Sequence, residues 1–490
     1  APAPAVRPLL LVAIAVGAVL VATSARYGYH RDELYFLVAG RHPDWGYPDQ
    51  PPLTPLIAGL MDWIAPGSLV ALRLPSALAA AATALVTGLL ACELGGGPRA
   101  QLIAAACSAV SAVTLVTGHI VSTTTYDVLL SALLCWLLAR AVRTGEKWLL
   151  MPAGLVLGIG LLNKSLIGVL AATLVVGLLT AGPRSLLRSG WVFGGAVTAL
   201  VLGAPYLVWQ SLNGWPQLEL TGDIAAEGDQ GGRLGFLPFQ LLLVSPVLVP
   251  VWVAGLVRLL RAGAARPFRF LGIGYLLLAA VYLVTGGKAY YLAGAYPALL
   301  AAGAIATDGW LDRGPIRLRR WLLTTAVALS AVVGAVVGLA VLPQRALGPV
   351  LAVNPEAGEQ VGWPEFTDTV AAVWNEMPRG ERGRAVIITA NYGEAGAIER
   401  YGPARGLPPP YSGHNGFGSW RVPTGSAGPV LVVGYSDAER RDRLFRSCQR
   451  RATIDNGLGL DTEEQGVPVW MCSGPARAWY DLWPEIRHLD

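Results

Sequence analysis

The chain has 490 residues, 53% of them apolar and only 14% charged, against roughly 25% charged in an average soluble protein. That ratio excludes one large water-soluble enzyme, and nothing in it points to nucleic acid. The formal net charge is +5, and positive charge is written almost wholly as arginine: of 37 basic residues only Lys147, Lys164 and Lys288 are lysines. The many glycines and prolines sit among runs of Leu, Val and Ala, which is membrane composition rather than disorder.

A bilayer core of about 30 Å takes roughly 20 apolar residues in a helix. Eleven segments qualify: 8–25, 69–91, 101–118, 123–140, 148–163, 165–182, 191–211, 237–258, 270–286, 289–307 and 321–342. The first also fits a cleavable signal peptide, with small residues Ala22, Ser24 and Ala25 at its end; either reading leaves the next loop outside. Alternate loops on one side carry fifteen Arg and Lys and the opposite side of the membrane part keeps seven, so the first side is cytoplasmic. The N-terminus is then cytoplasmic and, with an odd number of spans, the C-terminal part is exterior.

Between the first two spans lies YGYHRDELYFLVAGRHPDWGYPDQPPLTPLIAGLMDW, Tyr27 to Trp63. A plain hairpin between spans needs only a few polar residues; this one holds five acids, two histidines and a Pro-Pro turn. Asp32 and Glu33 follow the first span closely, and a partly desolvated carboxylate beside a second one is a candidate general base. The alternative is structural: Asp32 caps a short helix and Glu33 favours its first turn.

Further along, Asp127 opens a span in STTTYDVLLSALLCWLL, after His119. It is either a ligand-facing acid or a helix cap shared with Thr124 and Thr125. Lys164, between two spans with almost no loop, and Lys288, in TGGKAYYLAGAYPALL, map to outer span ends. Snorkelling explains such lysines in general. A chain that otherwise uses arginine and places Lys there suggests a compact ammonium suited to a phosphate. Tyr290, Tyr291 and Tyr296 read as interfacial belt residues. Arg233 with Glu219, Asp223, Glu227 and Asp229 falls in a Gly-rich exterior loop of roughly 25 residues, which suits either a flap or a solvated linker.

Beyond residue 343 no spanning run occurs. Short apolar runs at 385–389, 429–434 and 467–471 alternate with helix-like stretches such as 436–446, which predicts a small α/β domain. Within it, Asn391 to Glu394 and His414-Asn415 read as ordinary surface turns or, being polar and aromatic, as residues that touch an acceptor. Cys92, Cys107 and Cys135 lie in apolar runs; only Cys448 and Cys472 could pair, in an oxidising compartment. No metal-ligand spacing is present, so no metal residues are assigned and a divalent cation is left open.

The Asp-Glu pair after the first span, the aromatic loop ending in Asp49-Gln50-Pro51-Pro52-Leu53 and the two outer lysines together resemble the C-type, polyprenol-dependent glycosyltransferases. The likeness is to glycosyltransferase family 39, which includes protein O-mannosyltransferases and aminoarabinose transferases. It covers residues about 1 to 343. The resemblance implies a polytopic α-helical membrane protein of about eleven transmembrane helices, with domains at 1–343 (a catalytic first exterior loop at 26–68) and 344–490 (exterior, soluble, α/β). It implies Asp32 as the catalytic carboxylate with Glu33 beside it. Lys164, Lys288 and Asp127, with His119, Tyr126 and Tyr291 near them, would take the donor and its lipid phosphate. Asp49, Gln50 and Tyr47 would be first-loop substrate contacts. Aminoarabinose transferases carry Lys before the Pro-Pro where this chain has Gln50, so the same donor is not implied. The expected activity is inverting transfer of a sugar from a polyprenyl-phosphate donor to a protein, lipid or cell-wall glycan at the exterior face of the plasma (inner) membrane. A secondary transporter, or a membrane scaffold with an exterior binding domain, is the alternative; a transporter should show internal repeats and broken helices at midplane.

Overall fold

The computed structural model describes residues 2–227, 232–424 and 428–489. Contacts divide the chain into two compact units. One holds Ala1–Ser24, Gln50–Thr54 and Arg73–Leu339; the other holds Ala25–Asp49, Pro55–Leu72 and Ala340–Asp490.

The first unit is helical and multi-pass. Among the described residues, seven helices are long and apolar enough to cross a bilayer: Val6–Thr23, Leu69–Glu93, Thr123–Thr144, Gly190–Leu212, Gly263–Thr285, Ala289–Leu311 and Ile316–Gly338. Two further helix pairs are long and apolar enough only when taken together, each a broken span or a re-entrant loop. Pro98–Ala109 and Ala112–His119 meet at 52°, and Gly232–Val244 and Pro246–Arg261 at 85°. Pro246 explains the sharper bend, since it lacks an N–H and restrains the residue before it. The segments expected at 148–163 and 165–182 form helices Lys147–Leu161 and Leu166–Ala181, shorter than 18 residues. Among the described residues seven helices reach the length of a span, or nine with the bent pairs, so the count of eleven is not confirmed; the two shorter helices flank the polar Asn163-Lys164-Ser165 break.

Neighbouring helices approach at glycines, as membrane helices do when no hydrophobic force separates protein from lipid. Gly154 packs on the Gly195 backbone, and Gly255 and Gly303 lie against the carbonyls of Leu299 and Val251. Apolar residues such as Leu11, Ile14, Phe193 and Val201 stay exposed, the surface lipid would cover. Charges gather in paired clusters: buried Glu93 with Arg140 and Arg143, and Arg99 with Asp308 and Asp312.

The Gly-rich stretch expected as a loop is largely helical, Pro216–Glu227 followed by Gly232–Val244. Glu219 and Asp223 lie on the first of these and Arg233 opens the second, whereas Asp229 lies outside the described residues.

The second unit is built on a five-stranded mixed sheet: β1 (Val386–Thr389), β2 (Tyr411–Ser412), β3 (Val430–Val433), β4 (Phe445–Thr453) and β5 (Pro468–Pro475), in the order β2-β1-β3-β5-β4. β1, β2 and β3 run parallel, while β5 is antiparallel to both β3 and β4. Every residue of β3, Val-Leu-Val-Val, is buried, as a parallel strand covered on both faces requires. Cys448 and Cys472 face each other across β4 and β5 and are disulfide-bonded. Helix Arg31–Arg41 packs against helix Tyr392–Tyr401, where Gly396 admits the Leu34 backbone: a Cβ there would lie 3.1 Å from the Leu34 carbonyl carbon.

Candidate active site

Each unit brings together one group of the residues singled out from sequence. In the sheet-bearing unit, helix Arg31–Arg41 starts with a capping arrangement: the His30 ring nitrogen Nδ1 accepts the Asp32 N–H at 3.1 Å, and the Glu33 carboxylate accepts the His30 N–H at 2.8 Å. His30 is thus the cap, and Asp32 is not. Glu33 is fully buried in that role. With Nδ1 accepting, the ring proton of neutral His30 sits on Nε2, which faces Glu356 at 3.3 Å.

Freed from capping, the half-buried Asp32 carboxylate points to Tyr392, whose hydroxyl donates to Oδ1 at 2.8 Å. Tyr392 is held in turn by rings and charge: Tyr35 at 4.9 Å, His414 at 4.6 Å and the Arg31 guanidinium at 5.2 Å. Its backbone N–H donates to His414 Nδ1. Burial and the Asp32 charge push the Tyr392 phenol well above its ordinary range, so it stays a donor.

Asp49 accepts the Tyr35 hydroxyl at 2.6 Å, and that hydroxyl accepts the Gly416 N–H at 3.1 Å. Burial pushes Asp49 up to about 6 against the Tyr35 hydrogen bond, with Asp32 adding to the rise. Tyr47 is fully buried and donates to the carbonyls of Ala39 and His42, which makes it a brace for the end of the helix. Asn391 and Glu394 form a second capping box: Glu394 accepts the N–H groups of Ala390 and Asn391 at 2.9 and 3.1 Å. Burial pushes Glu394 up to about 7.

In the membrane unit Lys164 lies at the break between two short helices. Thr54 donates to Asn163 Oδ1 and Asn163 Nδ2 donates to the Thr123 carbonyl, both at 2.8 Å. That pins the Lys164 turn to the start of helix Thr123–Thr144. Lys164 Nζ donates to Thr124 Oγ1 at 3.1 Å and lies over the rings of Tyr290 and Tyr291, at 4.9 and 5.5 Å. Ser122, not Asp127, caps this helix, accepting the Thr124 N–H. Asp127 is buried in the next turn, its Oδ1 without a hydrogen-bond partner among the described residues. It lies beside Gly294, where a Cβ would come 3.5 Å from Oδ2.

Lys288 lines a recess of about 370 Å³, mouth included, with Arg233, Phe236, Tyr282 and Gly287. The other candidates point elsewhere. Tyr126 shares a hydrogen bond with Ser76 at 3.2 Å, and His119 one with Thr23 at 3.4 Å. Gln50 is buried, its Nε2 without a hydrogen-bond partner among the described residues.

Residues 49–209 match the family model described as dolichyl-phosphate-mannose-protein mannosyltransferase. ArnT from Cupriavidus metallidurans bound to undecaprenyl phosphate is similar in structure, with 15% identity and a TM-score of 0.59 over 94% of this chain and 97% of that one. This chain has the C-type glycosyltransferase fold. The arabinofuranosyltransferase AftD from Mycobacteria gives a TM-score of 0.52 at 15% identity, covering 95% of this chain and 40% of that one. The Archaeoglobus fulgidus oligosaccharyltransferase tethered with an acceptor peptide gives 0.51 at 14%, covering 80% and 63%. No sequence match to a curated protein was found. Sequence reasoning missed Tyr35, Arg31 and Asn163 and the partnership of Tyr392 with Asp32. A His-x-x-Glu spacing at residues 30–33 carried the capping signal.

Proposed function

We propose that this protein transfers a sugar from a polyprenyl-phosphate donor to a hydroxyl-bearing acceptor at the exterior face of the membrane, with inversion and with Asp32 as general base. The observation that carries the reading is the Asp32 carboxylate. It is half-buried, Tyr392 fixes Oδ1, and Oδ2 makes no hydrogen bond among the described residues. That leaves one oriented oxygen to receive the acceptor proton as the acceptor attacks the anomeric carbon. A single displacement inverts that carbon through an oxocarbenium-like transition state. Lys164 and Lys288 neutralise the departing lipid phosphate as fixed charges, and Arg233 adds a third beside Lys288. Asp127 orients donor hydroxyls. Glu33 acts by holding the helix end that carries Asp32.

Three things support this reading: the fold shared with ArnT, whose structure holds undecaprenyl phosphate; the family match over residues 49–209; and basic side chains at two places in the membrane unit, Lys164 at the break between two short helices and Lys288 beside Arg233 in a recess. The exterior assignment rests on the fifteen-to-seven split of basic residues and on the Cys448–Cys472 bond, which persists in an oxidising compartment.

Native mass spectrometry of the purified protein tests the donor, with a bound polyprenyl phosphate or its sugar adduct expected. A transfer assay with that donor tests the base. Wild-type rates in Asp32→Asn would remove Asp32 from the mechanism, and uptake of a solute into proteoliposomes without lipid donor would replace transfer with transport.

A further inference from the structure

Three carboxylates meet in the sheet-bearing unit outside the groups described so far. Glu359, on the short turn Pro355–Gln360, and the adjacent Glu463 and Glu464, between β4 and β5, each bring an oxygen within 4.8 Å of the other two. Packing three anions together is costly unless a cation answers them. Arg31 supplies part of that charge: it pairs with Glu463, and its Nε lies 3.6 Å from Glu359 Oε2, beyond hydrogen-bond range. One guanidinium against three carboxylates leaves the cluster negative.

Glu464 is the telling member. It is only 6% exposed, and its Oε1 has no hydrogen-bond partner among the described residues. A buried carboxyl group beside two others, with one oxygen lacking a partner, is a position that a bound cation would complete. The loop presenting it is built rather than loose. Asn456 Nδ2 donates to the Leu460 carbonyl at 2.7 Å, Gln465 Oε1 accepts the Asn456 N–H at 2.8 Å, and the Gly466 N–H bonds to Ile454 at 2.9 Å. Gly466 has φ +81°, a conformation that favours glycine, so the turn holding Glu463 and Glu464 is set by the backbone.

We propose that Glu359, Glu463 and Glu464 form a binding site for a calcium ion. All-carboxylate oxygen ligands select a hard cation. The three oxygens all lie within 4.8 Å of one another, close enough to share one ion. Calcium accepts such carboxylates together with water in flexible geometry, whereas magnesium demands a near-ideal octahedron and gives up its water reluctantly. Glu463 is about half exposed, which leaves a path for the ion and room for water ligands. A site of three carboxylates open on one side belongs with weak extracellular modules, with a Kd on the order of 0.1 to 1 mM.

The test is calorimetric titration of the full-length, chelator-treated protein in detergent with CaCl2, and with MgCl2 in parallel. One saturable calcium site in that range is expected, with magnesium binding about tenfold weaker. Glu463→Gln and Glu464→Gln should each weaken calcium binding at least tenfold and abolish the rise in melting temperature that calcium gives the wild type. Glu463→Gln is the safer variant for folding, because its side chain is partly in solvent. No saturable calcium binding up to about 10 mM, tenfold beyond the weakest class of such sites, would mean that Arg31 alone serves the cluster and would overturn the proposal. Unchanged affinity in Glu463→Gln, or magnesium binding as tight as calcium, would overturn it too. Binding is read without a sugar donor, so failure here leaves the transferase reading untouched.

Discussion

The two groups of candidate residues are held in different ways. Asp32 is fixed by direction: a tyrosine 360 residues later in the chain donates to one oxygen, two rings and a guanidinium wedge that tyrosine, and a histidine cap frees the carboxylate from helix duty. Lys164 donates to the Thr124 hydroxyl and lies over two ring faces, and Lys288 lines a recess. A base must meet one proton along one line. A leaving phosphate presents charge in several directions, and an ammonium answers it as a point. The difference therefore follows the division of labour proposed above: one half aims and the other neutralises.

That contrast gives a ranked set of outcomes. Asp32→Asn removes the base and should lower kcat by about 10² to 10⁴, with lipid copurification unchanged. Lys164→Met should lower kcat/KM for the donor by about 10- to 100-fold, the loss of a charge-assisted hydrogen bond worth about 1.5 to 3 kcal/mol, mostly through KM. If Lys164→Met instead lowered kcat alone, the division between aiming and neutralising would fail. Tyr392→Phe leaves Asp32 in place but unaimed. A loss of about tenfold in kcat with donor KM unchanged is expected, corresponding to roughly 1.4 kcal/mol.

The smallest effect is on stability. Asp49 is pushed up to about 6 and Glu394 to about 7 by burial, both above the ordinary carboxylate range near 4. A carboxyl raised in the folded state stabilises most below its unfolded pKa, and that contribution is lost as pH rises through the folded value. The melting temperature should therefore fall between about pH 4 and pH 7. Asp49→Asn should flatten the lower part of that fall and Glu394→Gln the upper, since each keeps a carbonyl oxygen for the same donors. Scanning fluorimetry across that range reads both.

Much of the membrane unit was legible because a bilayer imposes a length, and a run of about 20 apolar residues announces itself. The segments on either side of Asn163 and Lys164, expected as separate spans, form separate helices, but both are shorter than a full span, because hydropathy marks apolar length and not where a helix ends. The three apolar strands of the sheet were legible for the same reason, whereas β4, Phe-Arg-Ser-Cys-Gln-Arg-Arg-Ala-Thr, is a polar edge strand visible only by its pairing with β5. In the candidate site, Asp32 stood out by position. Its partner did not, because no local pattern links residue 32 to residue 392. Glu33 and Glu394 look alike as charged residues in notable motifs, yet both are helix caps, and only the positions of backbone N–H groups reveal it.

The 85° break at Ser245-Pro246 bears on how the protein is made. Its halves, Gly232–Val244 and Pro246–Arg261, are each too short to halt at the translocon as a full span. The hydroxyl at the corner, Ser245, accepts at 2.8 Å from Ser330, which is synthesised 85 residues later. At about 5 to 20 residues per second, the corner waits roughly 4 to 17 seconds for its partner. The elbow is thus completed only when helix Ile316–Gly338 arrives, and truncation before residue 330 should leave a chain whose last turns into the bilayer are unsettled.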